Sequence, residues 1–195
     1  MKKLLLLVAV VAISFTVNAQ ETSFGVKAGL NLASLSGDNI SDDIEKRTGF
    51  HFGLTYEYEF SDVISLQSEL MYSTQGAKMK GVDSTLELDY LNAPILLKFY
   101  VVEGLSLEAG PQLGFNISAQ EVTNGESEDV EDLNTFDLGG AFGLGFKFDN
   151  GLSIGARYVV GFSNIISEED EFNPAGDDEN AIKNNVIQFS LGFNF

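Results

Sequence analysis

The chain has 195 residues, which is enough for one domain with a substantial core. Its 29 acidic residues outnumber its 11 lysines and arginines, and the formal charge of −18 argues against nucleic acid as a partner. Cysteine is absent, which excludes disulfides, and we expect no cofactor. After residue 20 no run of about 18 residues is apolar enough for a membrane helix, but membrane strands escape that test because alternation hides their hydrophobicity.

The first residues have the pattern of a secretory signal peptide. Lys2 and Lys3 form a basic start, residues 4–15 are apolar, and small residues at the expected positions place cleavage after Ala19. We therefore predict a signal peptide over residues 1–19 and a single exported domain over residues 20–195. The alternative, an uncleaved anchor helix, is disfavoured because the apolar run is short for a bilayer.

Eight later segments alternate large apolar side chains with small or polar ones, a period of two that is typical of β-strands. In chain order they cover residues 23–33, 50–60, 64–72, 86–100, 105–117, 136–148, 152–162 and 186–195. The fourth segment is irregular, because Leu86, Leu88 and Tyr90 are out of phase with the apolar residues that follow. A bulge near Tyr90, or a strand end clear of the membrane, would explain this.

The connections between the segments alternate in length. Those after the second, fourth and sixth segments are tight turns, such as Asp149-Asn150-Gly151. The others are longer and cover residues 34–49, 74–84, 119–135 and 163–181. Short turns on one rim and long loops on the other are typical of outer-membrane barrels with both termini in the periplasm. We therefore predict an all-β fold, an eight-stranded antiparallel up-and-down transmembrane β-barrel.

Glycines and large side chains occupy opposite faces of these segments, which decides between two kinds of barrel. A soluble, lipocalin-like barrel would point the large residues inward, but eight strands enclose too little space for them. Its glycines would form the outer surface, where they weaken strands without benefit. In a membrane barrel the glycines make room inside and the large residues face lipid. Aromatic residues such as Phe50, Phe52 and Tyr72 then belong to an interfacial girdle toward the outer rim.

The inward face carries a nearly balanced set of charges. It includes Lys27, Lys98, Lys147, Arg157, Glu57, Glu59, Glu69, Glu108 and Asp137. Buried charges must be paired or hydrated, so we predict a cross-strand ionic network that fills the lumen. The alternative, a proton or ion path, needs a continuous water channel that eight strands rarely leave open.

The chain ends in full strand register. Its last segment resembles the C-terminal targeting signal of outer-membrane barrels, in which alternating apolar residues end in an aromatic one. The matching residues are Phe189, Leu191, Phe193 and Phe195. The resemblance implies recognition by the barrel assembly machinery, and the strand must also pair with the first one to remove both sheet edges.

Three further motifs resemble the PorT-like outer-membrane β-barrel family. They contain Glu69, Leu70, Tyr72 and Ser73; Tyr90, Leu91, Pro94 and Lys98; and Gly110, Pro111 and Gly114. The resemblance covers nearly the whole mature chain, and it implies that Pro94, which cannot donate to a sheet ladder, is a family feature. It implies little about activity, because one member supports protein secretion and most have no assigned role.

His51 is the only histidine and the one candidate for a catalytic base. Outer-membrane lipid A deacylases use a His–Ser pair, and Ser73 is predicted at a similar height on the neighbouring strand. Such catalysis requires groups that face lipid, whereas His51 is predicted to face the lumen. We therefore expect a hydrogen-bonded lumen residue and no catalytic residues.

The long loops are acidic, and three stretches within them hold 17 of the 29 acidic residues. We expect a solvated rim that repels neighbours. A sharper hypothesis is divalent-cation binding through carboxylate ligands. The candidate ligands are Asp129, Glu131 and Asp132, or Asp177, Asp178 and Glu179. No stretch has the spacing of an EF-hand, so no metal site is predicted.

These observations together predict a monomeric, non-enzymatic barrel in the outer membrane of a Gram-negative cell envelope. Its predicted partners are outer-membrane lipid and lipopolysaccharide, the barrel assembly machinery, and an extracellular ligand, cation or protein that contacts the acidic loops. Two rival functions stay open, namely an outer-membrane enzyme that acts on lipids and a narrow channel.

Overall fold

Nine β-strands form the computed structural model, which describes residues 22–37, 43–130, 133–166 and 181–195. The strands are β1 (Thr22–Ser36), β2 (Ile44–Ser61), β3 (Ile64–Met79), β4 (Ser84–Val102), β5 (Leu105–Thr123), β6 (Glu126–Asp129), β7 (Phe136–Lys147), β8 (Leu152–Gly161) and β9 (Lys183–Asn194). The predicted signal peptide lies outside the described residues. Within them, no helix is long and apolar enough to cross a bilayer.

Eight of the strands close into a ring. Their order is β1, β2, β3, β4, β5, β7, β8 and β9, and each neighbouring pair is antiparallel. β9 pairs with β1 from Gly25↔Asn194 to Ser36↔Lys183, which closes the ring. The predicted eight-stranded up-and-down barrel is confirmed. β6 is additional, and among the described strands it pairs with β5 alone.

The large apolar side chains point away from the centre of the ring. Phe52 and Phe142 are 52% and 54% exposed, whereas Asn31, His51 and Glu57 on the other face are buried. The two faces follow from the alternation of side chains along each strand. A soluble barrel would bury its phenylalanines and expose its charges, so the structure has the orientation that the glycine pattern predicts.

The ring has a tall wall and a short wall. The tall wall comprises β2 to β5, with 16–19 residues in each strand, and the short wall comprises β7 to β9, with 10–12. A membrane-spanning strand needs about 9–11 residues, so the short wall matches one bilayer and the tall wall exceeds it. β5, for example, continues from Asn116 to Thr123 beyond Phe115, which is its last residue paired with β7. The excess therefore projects from the rim opposite the short turns.

Three connections predicted to be long loops are largely strand, and in the first of them, residues 34–49, β1 extends to Ser36 and β2 begins at Ile44. β3 extends to Met79 and β4 begins at Ser84, so only a short turn joins them. β6 forms a hairpin with β5 inside the predicted connection of residues 119–135. These segments project beyond the bilayer, and their outer faces are polar. They therefore lack the alternation of large apolar residues by which the other strands were recognised.

The irregular fourth segment keeps a single phase. Leu88 and Tyr90 are buried inside the ring, so the inward face of β4 changes from apolar at its outer end to polar below. The β4–β5 pairing does shift register beside Tyr90, and the extra residue is Ile117 of β5. The apolar residues at the start of β4 therefore face the lumen, and the strand does not change the direction of its two faces.

Pro94 interrupts one sheet ladder. On β3, the residues between Ser68 and Met71 have no partner on β4, and Pro94 lies opposite them. On its other side Pro94 still aligns with Gln112 of β5. Since proline has no N–H to donate, the break is confined to one strand pair, and the ring continues above and below it.

Candidate functional site in the lumen

Four charged side chains from four strands meet in the middle of the lumen. The Glu69 carboxylate accepts hydrogen bonds from Lys27 Nζ at 2.5 Å and from Nη1 and Nη2 of Arg157, both at 2.9 Å. Arg157 Nε also donates to Glu108 at 2.8 Å. These residues lie on β1, β3, β5 and β8, so the cluster ties opposite sides of the ring together. Charges buried this deeply are stable only when they are paired.

A second cluster lies nearer the short turns. Glu57 pairs with Lys98 Nζ at 3.0 Å and accepts a hydrogen bond from the Tyr100 hydroxyl at 2.7 Å. Gln67 joins this cluster to the central one. Its Nε2 donates to Glu69 at 2.6 Å, and its Oε1 accepts from Lys98 at 3.0 Å. The two clusters are therefore one connected network.

The remaining predicted charges lie toward the two ends of the lumen. Lys147 pairs with Glu59 at 3.3 Å beside the short turns. Asp137, toward the outer rim, has no cationic partner among the described residues, and its Oδ1 accepts no hydrogen bond there. The structure thus brings eight of the nine predicted residues into ion pairs and leaves out Asp137. The reason is position, because Asp137 pairs with Gly114 near the outer end of β7, whereas the four lumen cations contact other carboxylates nearer the short turns.

His51 is held in a chain of neutral polar groups. Its Nδ1 contacts Asn31 Oδ1 at 2.7 Å, and its Nε2 contacts Ser190 Oγ at 2.9 Å. Ser73 bonds to Asn31 rather than to the ring. A Cβ at Gly29 would lie 2.7 Å from the imidazole, so only glycine leaves room for the ring. The His51–Ser73 contact that the catalytic alternative would require is not formed.

The space inside the barrel is nearly filled. Among the described residues, a cavity of about 40 Å³ lies beside Lys27 and Glu108. Another of about 10 Å³ lies beside His51. Spaces of this size hold at most a few water molecules. A wider vestibule, lined in part by Glu59 and Lys147, opens at the rim with the short turns.

The opposite mouth is closed by apolar side chains. Leu88, Tyr90 and Ile165 form a buried cluster. Further apolar residues pack against it, namely Leu35, Leu86, Ala119, Leu133 and Ile182. Ile165, Leu133 and Ile182 come from segments outside the strands, so the chain folds back over the lumen at this end. We call residues 133–135, 163–166 and 181–182 the outer cover.

Two asparagine side chains hold the outer cover together. Asn134 Nδ2 donates to the carbonyl oxygens of Asn164 and Ile166, both at 2.9 Å. Asn164 Oδ1 accepts from the backbone N–H of Ile166 at 3.2 Å and of Ile182 at 3.0 Å. Because these bonds satisfy backbone groups that have no strand partner, they fix irregular segments over an apolar cluster.

The candidate cation ligands are not assembled into a site within the described residues. Asp129 lies exposed on β6, where its Oδ1 accepts a hydrogen bond from Gln120 at 2.9 Å. The other candidates lie outside the described residues, namely Glu131, Asp132, Asp177, Asp178 and Glu179. In the described part of the chain, no three His, Asp or Glu side chains are placed to hold a metal ion.

The closing strand presents its apolar residues outward. Phe189, Leu191 and Phe193 are exposed on the outer face of β9. The rings of Phe193 and Phe195 lie 5.3 Å apart, and the Phe195 backbone N–H donates to the Phe24 carbonyl at 2.7 Å. The residues predicted as an assembly signal thus form one outward-facing row that ends at the ring closure.

Sequence reasoning missed several residues that organise the lumen. The Ser190 hydroxyl contacts His51, and the sequence could have indicated this position, because Ser190 alternates with the outward residues Phe189 and Leu191 and must therefore face the lumen. Asn134 and Asn164 gave no such signal, because they lie in irregular segments without periodicity. Only the folded chain shows that they face each other across the mouth.

Comparisons with known proteins agree with this architecture. A family profile described as outer membrane protein beta-barrel domain matches residues 18–167. The crystal structure of Neisserial surface protein A covers 90% of this chain and 100% of its own, with 15% identity and a TM-score of 0.62. The attachment invasion locus protein Ail of Yersinia pestis covers the same shares, with 18% identity and a TM-score of 0.55. No curated protein matches the chain. Identities this low show a shared fold alone.

Proposed function

Since the chain belongs to the outer membrane protein β-barrel domain family and lies in the outer membrane, we propose that it is a closed, non-enzymatic barrel that presents its projecting strands and acidic loops to molecules outside. The filled lumen is the observation that carries this proposal. Each lumen cation is paired with a carboxylate, and an apolar cluster covers the outer mouth. The outward-projecting tall wall then remains as the surface through which the protein acts.

A narrow channel is less well supported than a closed barrel. An ion crossing the lumen would have to separate buried pairs such as Arg157 with Glu69 and then pass the apolar residues around Leu88. Removing one partner of a buried pair costs about 3–5 kcal/mol, and an apolar constriction excludes water and ions. Both barriers lie on the same path, so we expect no steady ion flow.

A lipid-modifying enzyme is also less well supported. His51 is 2% exposed and lies beside a cavity of about 10 Å³, which is too small for an acyl chain. Its Nδ1 faces an amide oxygen of Asn31 rather than a carboxylate. The Ser190–His51–Asn31 chain therefore has the order of a catalytic triad without access for a substrate. We interpret it as a structural hydrogen-bond chain.

The proposed partners follow from the surfaces of the barrel. Lipid, including lipopolysaccharide, surrounds the outward phenylalanines, and the assembly machinery acts on the closing strand that ends at Phe195. A monomer suffices, because the eight ring strands leave no open edge. The acidic β5–β6 hairpin and its neighbouring loops are the region we propose for contact with a ligand, cation or protein.

We also propose the narrower affiliation with the PorT-like family. The motif residues that suggest it act together on the tall wall. Glu69 is the centre of the lumen network, Pro94 lies across from it on β4, and Lys98 pairs with Glu57. This shared structural role supports the resemblance and gives no support for a role in secretion.

The closed state can be tested by electrical recording. We expect the purified protein in planar lipid bilayers to give no steady conductance above that of the bare membrane. As a positive control, the double variant Glu69→Ala with Arg157→Ala removes the central cluster and is expected to conduct more often than the parent. Regular single-channel currents from the unmodified protein would contradict the proposal.

Enzymatic activity requires a separate assay. The protein is incubated with lipid A in detergent, and released fatty acids are measured by mass spectrometry. We expect no release above that of a boiled sample. Release that is lost in His51→Ala would instead assign the protein to the rival class of lipid-modifying enzymes.

A further inference from the structure

Asp137 is the lumen carboxylate that the ionic network leaves without a cation. It lies on the inward face of β7, opposite Gly114 of β5 and near the outer end of the ring. In the described part of the chain its carboxylate faces neutral groups, namely the Ser163 hydroxyl and the backbone N–H of Leu138. A buried charge without a counter-charge is unstable, so the folded barrel needs a source of positive charge at this position.

The rest of the chain does not supply that charge. Each lysine and arginine after residue 20 lies within the described residues, and Asp137 forms an ion pair with none of them. The internal stretches outside the described residues, 38–42, 131–132 and 167–180, contain carboxylates but no lysine, arginine or histidine. The counter-charge therefore comes from outside the chain, as a proton or as a metal cation.

Three inward positions at one height form a row across β4, β5 and β7. Asn92 aligns with Gly114, and Gly114 aligns with Asp137. Because the middle residue is glycine, the two polar side chains flank a space where a side chain would otherwise stand. A Cβ at Gly114 would lie 3.0 Å from Asn92 Oδ1 and 3.3 Å from Asp137 Cβ. The row therefore places an amide oxygen and the Asp137 side chain on either side of one small space.

Tyr90 extends this row across the lumen. Its ring atom Cδ1 would lie 3.4 Å from the same added Cβ. Its hydroxyl lies beside the side-chain amides of Asn116 and Asn184, and its ring belongs to the apolar cluster beneath the outer cover. A set of polar side chains thus lies directly below that cluster. We call Asn92, Asn116, Asp137 and Asn184, which lie around Tyr90, the outer chamber.

The outer chamber collects buried polar atoms that have no partner. Four of the five buried side-chain atoms that lack a hydrogen bond in the described residues belong to it, namely Asn92 Nδ2, Asn116 Nδ2, Asp137 Oδ1 and Asn184 Oδ1. Asn92 and Asn184 are 3% and 2% exposed, so bulk solvent does not reach them. Nearly all buried polar groups in folded proteins are bonded, and several orphan atoms at one place indicate a bound polar species.

We propose that the outer chamber binds one monovalent metal cation, for which sodium is the probe. The Asp137 carboxylate would neutralise its charge, and asparagine side chains would contribute further oxygen ligands, which suit hard cations. A side-chain amide presents its oxygen or its nitrogen depending on a half-turn about its last bond, so Asn116 can also offer oxygen. The inference goes beyond the proposed display function and does not depend on it.

The number of charges favours a monovalent ion. Four cations and five carboxylates face the lumen, so one negative charge remains after pairing. A divalent ion would leave one positive charge uncompensated in a buried site. Water could bond to the amides but would not neutralise Asp137. A proton would neutralise Asp137 but would leave the amides unpaired. A single monovalent cation satisfies both requirements.

The outer chamber lies at the end of the lumen that faces the external medium. Asp137 is half-buried, and Ser163 beside it belongs to the outer cover. Toward the short turns, the paired charges of Arg157, Glu69 and Glu108 fill the lumen. The ion would therefore reach the chamber from the outer rim and stop above the central cluster.

The chain offers a matched pair of variants for the test. Asp137→Asn removes the charge and keeps the size of the side chain. Asp129→Asn makes the same change on β6, where the side chain is exposed outside the lumen. Both variants lower the negative charge of the protein by one, and only the first changes the outer chamber.

Urea unfolding in lipid vesicles is measured for the parent and both variants over a range of sodium chloride concentrations. Choline chloride keeps the ionic strength constant, because choline screens charges but is too large for the space beside a glycine. Once sodium exceeds its dissociation constant, each tenfold increase should raise the ratio of folded to unfolded parent by about tenfold. Asp129→Asn should respond equally, and Asp137→Asn should not respond.

Two results would overturn the inference. One is an equal response to sodium in all three proteins, which would show a diffuse effect on the acidic surface. The other is a parent whose stability does not change when sodium replaces choline, which would show that a proton neutralises Asp137. This second comparison needs no variant. Both results are distinct from the conductance test, which reports whether ions pass through the lumen and not whether one is held there.

Discussion

The tall and short walls of the barrel fill the lumen in different ways. The tall wall sends large side chains inward, such as Glu57, Glu69 and Lys98, whereas the inward face of the short wall alternates glycines with side chains of mixed size. A Cβ at Gly143 would lie 2.8 Å from a carboxylate oxygen of Glu108. The short wall thus supplies space that tall-wall side chains occupy. Arg157 is the short-wall side chain that reaches into the central cluster.

The two walls therefore contribute differently to the barrel. The short wall has the length of a single bilayer crossing, and several of its inward positions are glycines. The tall wall contributes most of the ionic network, the exposed cations and the strands that project outward. Substitutions on the two walls should therefore have unequal effects, from the largest at the contact between them to the smallest at the outer rim.

Arg157→Met should have the largest effect, because Arg157 makes the buried ion pairs that join the short wall to the tall wall. The change leaves Glu69 with Lys27 alone and Glu108 without a cation. Loss of one partner from a buried pair is expected to lower the free energy of unfolding by about 3–5 kcal/mol. Urea unfolding in lipid vesicles measures it. A loss below about 1 kcal/mol would show that the walls are held together by backbone pairing alone.

Gly143→Val should have the next largest effect, because it adds a side chain where the short wall leaves space for Glu108. The added methyl groups would displace the Glu108 side chain from Arg157. Overpacking of this kind typically costs about 1–3 kcal/mol. The same unfolding measurement applies, with Ser153→Val on β8 as a control near the short turns. Equal stability of Gly143→Val and the parent would mean that the lumen is looser than the structure shows.

Asn164→Ala should loosen the outer cover without changing the ring. It removes the acceptor for the N–H groups of Ile166 and Ile182, at a cost of about 1 kcal/mol for the hydrogen bonds lost. Amide hydrogen exchange should become faster at residues 165–166 and 182, while β1 to β5 stay protected. The matched control is Asn150→Ala, which removes one side-chain bond to Leu152 at the short-turn rim.

Arg47→Gln should have the smallest effect on stability. The Arg47–Glu87 pair lies on the outward face of the projecting strands, and the Glu87 side chain is 41% exposed. Pairs of this kind contribute about 0–1 kcal/mol. The contrast with Arg157→Met tests the comparison directly, since both variants remove one guanidinium. A large loss of stability in Arg47→Gln would show that the projecting strands support the ring.

The sequence predicted the ring because lipid and lumen impose opposite requirements on alternate residues. Phe52 beside Gly53, or Leu144 beside Gly145, is enough to place a strand and its two faces. The projecting parts of β2 and β3 escaped prediction because water lies on their outer face and no such contrast is imposed. β6 escaped for the same reason, since its exposed residues Glu126 and Glu128 read as loop.

The sequence predicted that the lumen holds paired charges, but it did not predict which residues pair. Near-equal numbers of inward cations and carboxylates indicated a network, but the partners depend on the relative heights of strands that are distant in sequence. Arg157 meets Glu69 across the ring, which no spacing between them could reveal. The exclusion of Asp137 and the Ser190 contact of His51 likewise follow from register. The outer cover could not be predicted from periodicity, because it depends on how irregular segments fold back over Leu88.

The hydrogen bond from Phe195 to the Phe24 carbonyl joins the last residue of the chain to its first described strand. Before β9 pairs with β1, the sheet has two unpaired edges, and each can pair with a strand of a neighbouring molecule. Pairing of these two strands is therefore the step that removes both edges. A variant that lacks β9 would keep two open edges and is expected to aggregate.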